Sequence, residues 1–421
     1  MTLISESTDV LIVGAGLAGL SAGVTLQRAG FNVRIIEGTS SVGGRVRTDV
    51  RDGLRMDVGF QVLNPAYPAA RQLLNYDALS LRSFNPGIRI ADADGERLFG
   101  NPLRDVTYAV DLLKTARKNG LKSLNDHTRF GAYAGNASRD DAPSMFESDS
   151  RTAISNLGLS DEFIESTLQP FLSGVFLEAD LSTSRRFLDF VVGYFIKGVP
   201  AVPAEGMQAI PQQLANLLHA DSLALNTWVH GVESNTVLTD SGRLKARAVI
   251  LATDQDTTAA WLGGVARGWR SVTTWYHTTD MSRSQLNAGR AQLTVDGVRG
   301  RGPVINTVPI SHAAGSYTRP GVHLVSTSVL GTDSSQDMHE QVKAHLATLY
   351  GTDTSAWNLE GVYPVHKALP ITSAPFIENN DTKVGDSLYV AGDHMGIPSI
   401  NTAMASGVRA AHSAIADLRK S

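Results

Sequence analysis

Three glycines, an acid and an arginine carry the first chemistry in this chain. Gly14, Gly16 and Gly19 stand as G-x-G-x-x-G directly after the apolar run Asp9–Val13, and Leu20–Ala29 continues at helical spacing. In a strand–turn–helix of this kind, Gly14 permits the tight turn, Gly16 lets a pyrophosphate reach the backbone, and Gly19 lets the helix pack on the strand. The unpaired N–H groups that open the helix, around Leu17 and Ala18, then face the phosphates. A second apolar run, Asn32–Ile36, ends in Glu37, 18 residues after Gly19. A dinucleotide-binding unit places at that point the acid that accepts from ribose hydroxyls, and its charge would repel a 2′-phosphate. Gly43 and Gly44 then precede Arg45, a cation beside backbone open to phosphate, whereas Arg47 reads equally well as a solvated charge.

Other catalytic patterns are weaker. Gly19-Leu-Ser21-Ala-Gly23 fits a nucleophile elbow by letter. The elbow needs its serine on the turn directly after a strand, and Ser21 falls eight residues past Val13, inside the helix. The 11 histidines form no H-E-x-x-H, and His339 and His345 are six apart, wrong for one helical face. No metal is expected.

The elements that position these residues read as α/β. Strands are expected at Val10–Val13, Val33–Ile36, Ala248–Ala252, Val322–Ser328 and Ser387–Ala391, and helices at Leu17–Ala29, Tyr67–Asn75, Ile210–Leu218, Gln336–Tyr350 and Thr402–Leu418. Their alternation implies at least one parallel sheet. A second glycine cluster, Gly385, Gly392, Gly396 and Gly407, suggests that both ends of the chain build one site. Residues 119–150, rich in Gly, Asn, Asp and Ser, read as a surface excursion. Arg185–Lys197, apolar between basic ends, reads as a buried helix in preference to a tunnel wall or a membrane-dipping segment.

Length and composition exclude several classes. With 421 residues, two to three domains are expected at ~150 each. The hydrophobic share of 42% and net charge of −4 fit a globular protein with no nucleic-acid partner and no polybasic cluster to hold it on an anionic membrane. The absence of cysteine excludes disulfides, iron–sulfur clusters and thioether-linked cofactors. No signal peptide or transmembrane segment is read, and a cytoplasmic location is expected.

Further motifs carry a family resemblance. Ser41-Val-Gly43-Gly44-Arg45-Val-Arg47-Thr48, Asp57-Val-Gly59-Phe60-Gln61 and the block from Leu388 through Gly392-Asp393 to Ala411 follow the Rossmann turn and ribose acid in order. In this the chain resembles the FAD-dependent flavin amine oxidase superfamily, which includes amine oxidases, protoporphyrinogen oxidases and phytoene-type desaturases. The resemblance implies a Rossmann-type, discontinuous FAD-binding domain (residues 1–75, 200–270 and 355–421) and an α+β substrate domain with a mixed sheet and helices (76–199 and 271–354). It implies that Gly59, Phe60 and Gln61 approach the flavin ring and that Val229 meets adenine through its backbone. It also implies that Asp393, otherwise a plain capping acid, binds the ribityl chain. The helix opening at Ile400, Asn401 and Thr402 would point at the flavin pyrimidine.

The implied reaction is hydride transfer to non-covalent FAD from the carbon next to an amine, with O2 reduced to H2O2. The rival readings are a desaturase or porphyrinogen-oxidase type acting on C–C bonds of a lipophilic small molecule, and an FAD-binding protein with little catalysis. Departures favour the first rival: no lysine lies between Lys245 and Lys343, and Ser399-Ile400-Asn401 lacks the aromatic residue common before the last helix. Lys367 and Tyr363, just before the last FAD block, stand as catalytic candidates, and a homodimer is left open.

Overall fold

The computed structural model describes residues 8–102, 104–139, 147–378 and 381–420. Val10–Val13 (β1), Leu17–Arg28 (α1) and Val33–Ile36 (β2) open the chain. Val106–Asn119 (α2) and Leu121–Ala137 (α3) follow as a helical hairpin, and Arg185–Lys197 (α4) packs on α3. Then come Ala248–Leu251 (β3), Trp269–Thr279 (β4), Asn358–Pro370 (β5), Leu388–Val390 (β6) and Ile400–Leu418 (α5).

Every residue of β1 is buried, because the strand sits inside a sheet covered on both faces and reads as a continuous apolar run. It pairs in parallel with β2 (Val10 opposite Val33) and with β3 (Val10 opposite Ala248). β6 continues the sheet beyond β3, and strands Lys383–Gly385 and Leu223–Ala224 close its two edges. The second large sheet has seven strands in the order β5, β4, His323–Leu330, Val304–Val308, Leu293–Asp296, Ile88–Asp92 and Gly95–Phe99. Its pairs are antiparallel except Leu293–Asp296 against Ile88–Asp92, so the sheet is mixed. β5 belongs to this second sheet, which puts residues 358–370 beside β4 and not with β1.

Two local devices fix the arrangement. α5 lies on α1, and a Cβ at Gly407 would stand 2.1 Å from the Ala18 carbonyl oxygen, so only glycine allows this crossing. The hairpin Thr48–Arg51 and Leu54–Asp57 is tied to its surroundings through Asp57. The Asp57 carboxylate accepts from Thr48 Oγ1 (2.5 Å), the Met207 backbone N–H (2.9 Å) and Tyr317 OH (2.9 Å), and Tyr276 OH on β4 donates to its carbonyl (3.0 Å). No cation pairs with it among the described residues. Burial therefore raises its pKa to about 6, against the hydrogen bonds from Thr48, Met207 and Tyr317 that lower it.

The expectation for 119–150 is corrected in part. Residues 121–137 form α3, whose inner side packs Ala134, Phe130 and Tyr133 on α4, while 140–146 lie outside the described residues. Tertiary burial overrides the poor helix propensity of its Gly and Asn residues. No helix among the described residues is long and apolar enough to cross a membrane.

Two outcomes follow from these devices. Gly407→Ala should lower unfolding free energy by about 1–3 kcal/mol through overpacking, read by denaturant melts. Gly315→Ala, with no atom within 4 Å of its added carbon, serves as control. For Asp57, the folded carboxyl protonates near 6 and the unfolded one near 3.8, so the folded state holds more protons between these values. Stability should thus fall as pH rises from ~4 to ~6, by roughly 3 kcal/mol from this group. Asp57→Asn should flatten that slope in melts across the range, and an unchanged slope would refute the assignment.

Candidate functional site

A cavity of about 1290 Å³ runs between the two sheets. An ordinary small-molecule pocket spans ~300–1,000 Å³, so this one has room for a dinucleotide and a second molecule together. One end is built from backbone and charge, and the other from aromatic rings.

The charged end begins at the turn after β1. Gly14 has φ +104°, and a Cβ there would meet the Ala252 carbonyl oxygen at 2.6 Å. A Cβ on Gly16, by contrast, meets no atom within 4 Å: the open space in front of it is the cavity itself. Gly16 precedes α1 without a side-chain cap, and Leu17 and Ala18 line the cavity, so the free N–H groups of the first turn form an anion cradle. Gly43 and Gly44 complete it, with Gly43 N–H donating to Ala15 O at 2.8 Å. Gly19 does not reach the cavity. Its missing side chain makes room for the Gly14 carbonyl, 1.9 Å from where a Cβ would be.

Glu37 sits at the end of β2 with its carboxylate held in place. Oε2 accepts from the Ala15 N–H (2.8 Å), and Oε1 accepts from the Thr39 N–H (2.9 Å) and hydroxyl (2.8 Å). It lines the cavity beside Thr227, Trp228 and Val229, and Thr227 N–H donates to its carbonyl at 2.9 Å. From the other end of the chain come Gly392 and Asp393, after β6, and Ile400 at the start of α5. Arg45 Nη2 lies 2.5 Å from Asp393 Oδ1, and Nη1 donates to Ala368 O. The Arg45 guanidinium stacks over the Trp269 ring, 5.2 Å from its centroid.

The aromatic end is walled by Phe60, Tyr67, Phe84, Phe190, Tyr194 and Phe195. Phe60 meets Phe84 edge-on at 6.1 Å, and Tyr67 meets Tyr194 edge-on at 4.8 Å. Apart from Arg104, whose guanidinium donates to the Phe195 and Ile196 carbonyls, its polar groups are neutral. Burial pushes the Tyr67 phenol up, and burial lowers the His127 imidazole while its Nδ1 contacts Ser123 O. Gln61 joins the wall: its Nε2 donates to Arg45 O (2.9 Å), and its Oε1 is buried without a hydrogen-bond partner.

Four cofactor candidates and both catalytic candidates stand back from the cavity. Gly19 is accounted for above, and Gly59 packs near Val365. Asn401 Oδ1 accepts from the Ala69 N–H (3.1 Å), and Thr402 N–H donates to the capping Ser399 Oγ (3.0 Å), so both hold the loop ahead of α5. Lys367 does not line the cavity itself: its half-exposed side chain places Nζ 2.7 Å from Asp256 and 3.0 Å from the cavity-lining Asp254, and its neighbour Ala368 also lines the cavity. The hydrogen bonds to Asp256 and Asp254 hold its pKa above the ordinary lysine value, against partial burial, so it stays an ammonium. Tyr363 OH donates to Asp49 Oδ2 at 2.6 Å, also outside the cavity.

Residues missed by sequence reasoning include Asp254 and Thr257 after β3, and Tyr67 and Phe84, which belong to no motif. Phe190 and Tyr194 were readable as an i, i+4 aromatic pair on α4, where a plain buried helix was preferred. That helix is both: Phe187, Leu188 and Val191 are buried, and Phe190, Tyr194 and Phe195 face the chamber. Among the described residues no group of three or more His, Cys, Asp or Glu side chains could hold a metal ion.

Comparison with known proteins follows this geometry. The sequence model for flavin containing amine oxidoreductase matches residues 17–415. A 4,4'-diapolycopene oxygenase of Methylomonas sp is 41% identical over 59 residues, 14% of this chain and 12% of that protein. A zeta-carotene-forming phytoene desaturase of Myxococcus xanthus is 23% identical over 278 residues, 58% of this chain and 51% of that protein. The chain's matches thus span about half or less of these curated relatives. A solved structure of putrescine oxidase bound to putrescine superposes with a TM-score of 0.68 at 17% identity, covering 97% of this chain and 99% of that one. The fold is therefore shared over nearly the whole length, and the sequence match runs from the first helix to the last: the chain belongs to the flavin containing amine oxidoreductase family.

Proposed function

We propose that this oxidoreductase holds FAD non-covalently at the charged end of the cavity and oxidises a lipophilic substrate at a carbon–carbon bond in the aromatic end. The observation that carries the substrate reading is the chamber wall. No lysine lines the cavity, and its acids (Glu37, Asp254 and Asp393) all stand at the charged end. An ammonium substrate would lose its hydration against aromatic rings with no carboxylate to replace it.

The residues present fit the cofactor. In this reading Gly14, Gly16, Leu17, Ala18, Gly43 and Gly44 take the diphosphate, Glu37 takes ribose hydroxyls, and the backbone at Val229 takes adenine. Arg45 and Asp393 hold the middle of the molecule as a joined pair. Phe60, Gln61 and Ile400 border the ring, while Gly19, Gly59, Asn401 and Thr402 shape the backbone behind them. Residues 1–75, 200–270 and 355–421 then form the cofactor unit, with β5 reaching across to pair with β4 of the second sheet.

Bound FAD supplies a two-electron acceptor for hydride leaving the substrate carbon. The chain's own part is to exclude water with the aromatic wall, to hold the substrate flat between ring faces, and to keep carboxylates and lysines out of the chamber. O2, giving H2O2, is the expected terminal acceptor. Amine oxidation is the second reading, favoured by the group of Tyr67, Phe190 and Tyr194, whose rings lie 4.7–5.9 Å apart and could frame an uncharged amine.

The purified protein should show flavin absorption and release all of it as intact FAD on acid precipitation. Flavin left in the pellet would contradict non-covalent binding. Glu37→Ala removes charge-assisted hydrogen bonds worth ~1.5–3 kcal/mol each, so FAD affinity should drop roughly 10- to 100-fold in titrations of apoprotein. Under anaerobic conditions, polyenes or other lipophilic substrates should bleach the flavin band while amines leave it unchanged. Bleaching by amines, faster at higher pH as the free amine grows, would transfer the assignment to the second reading.

A further inference from the structure

One polar side chain in the wall of the aromatic chamber has nothing to bond to. Asn306 lies in strand Val304–Val308, is 4% exposed and lines the cavity, so the little surface it keeps faces that space. Its side-chain amide makes no hydrogen bond among the described residues. The amide Nδ2 rests over Gly174, where a Cβ would stand 2.4 Å from it. Gly174 belongs to helix Gln169–Phe176, and Phe171, one turn earlier, meets Phe195 with ring centroids 5.3 Å apart. Asn306 is therefore set in the aromatic end of the cavity.

A bulge aims it there. Val304 pairs with Val329 and Asn306 with Ser328, so Ile305 is an extra residue in the ladder. Bulges re-aim side chains beside functional sites. The next residue, Thr307, turns to the opposite face, where its hydroxyl meets those of Thr327 (3.0 Å) and Tyr350 (3.1 Å). Neighbouring polar groups of the chamber are engaged. Asn64 donates from Nδ2 to Tyr194 O (2.8 Å) and accepts at Oδ1 from the Ala66 N–H (2.9 Å), and Arg104 donates to backbone carbonyls. Buried donors and acceptors are nearly always paired in a folded protein, so an amide left open toward a cavity implies a partner that arrives there.

We propose that Asn306 is a specificity-determining residue and that the substrate carries a hydroxyl group on its apolar body. The amide offers a donor at Nδ2 and an acceptor at Oδ1, and a hydroxyl meets both. A carbonyl or a carboxylate can only accept and an ammonium can only donate, so each would leave half of the amide unpaired. A plain hydrocarbon would cover the amide and leave both of its atoms unpaired, which a hydrogen-bonding site penalises far more than a lost apolar contact. The proposal rests on the reading of the aromatic end as the chamber of a lipophilic substrate, and it names the polar group such a substrate bears. A hydroxyl anchored at Asn306 then decides which carbon–carbon bond lies toward the charged end.

The test is equilibrium binding to the cofactor-loaded protein, followed by tryptophan fluorescence. The probes are geraniol, farnesol and geranylgeraniol, each beside its aldehyde and the hydrocarbon that lacks the oxygen. Wild type should bind the alcohol of the best-fitting length roughly 10- to 100-fold more tightly than its hydrocarbon, with the aldehyde between them. In Asn306→Leu that advantage should vanish, through weaker alcohol binding and tighter hydrocarbon binding, with FAD content and flavin absorption as in wild type. Gly174→Ala, whose added carbon displaces the amide, should shrink the preference in the same direction without touching Asn306. A preference that is absent from wild type, or that survives in both variants, overturns the proposal and leaves the lipophilic chamber standing. Loss of FAD or a shifted flavin band in Asn306→Leu also overturns it, by assigning the amide to the cofactor. Failure of every probe to bind overturns the lipophilic reading and this proposal with it.

Discussion

The cavity depends on how closely backbone can approach backbone. α5 reaches its place on α1 because Gly407 leaves the Ala18 carbonyl unobstructed, and α1 reaches β1 because Gly19 does the same for Gly14. A side chain at either position would lift its helix away. These two contacts set Gly392, Asp393 and Ile400 opposite Gly14 and Gly16, so residues nearly 400 positions apart share one wall. The Arg45–Asp393 pair crosses that junction and fixes its spacing through charge.

What was legible in the sequence follows from locality. The G-x-G-x-x-G turn, Glu37 and the strands around them are read from contiguous residues, because phosphate recognition uses backbone whose conformation glycine spacing determines. The aromatic chamber was not legible. Phe60, Tyr67, Phe84 and Phe190 come from separate segments, and an aromatic residue in a loop looks the same whether it faces a chamber or a core. α3 was missed for a related reason, since its helix is stabilised by packing on α4 and not by its own composition. Which groups Lys367 meets was not legible either, because its ion-pair partners Asp254 and Asp256 lie more than 110 residues away in the chain.

Charge is partitioned along the cavity with unusual sharpness. Every acid that lines it stands at the charged end, where backbone N–H groups and Arg45 also converge, and the aromatic end holds no acid and one cation, Arg104, tied to backbone carbonyls. In a dry apolar chamber any charge acts at longer range than in water, so a reacting carbon there would feel the charged end across the whole cavity. The two ends are different solvents within one continuous space.

The neighbours of β1 have a consequence for how the chain is made. β2 follows within about 20 residues, but β3, the partner on the other side, pairs Val10 with Ala248, 238 residues later. At a synthesis rate of about 5–20 residues per second, β1 would wait roughly 10 to 50 seconds with one edge unpaired. During that time the fully apolar strand Val10–Val13 can neither complete its hydrogen bonds nor hide its faces, and α5 is not yet available to cover α1. The nascent N-terminal half therefore exposes an unpaired apolar strand edge until β3 is made, and the turn after β1 gains its last neighbours only with α5.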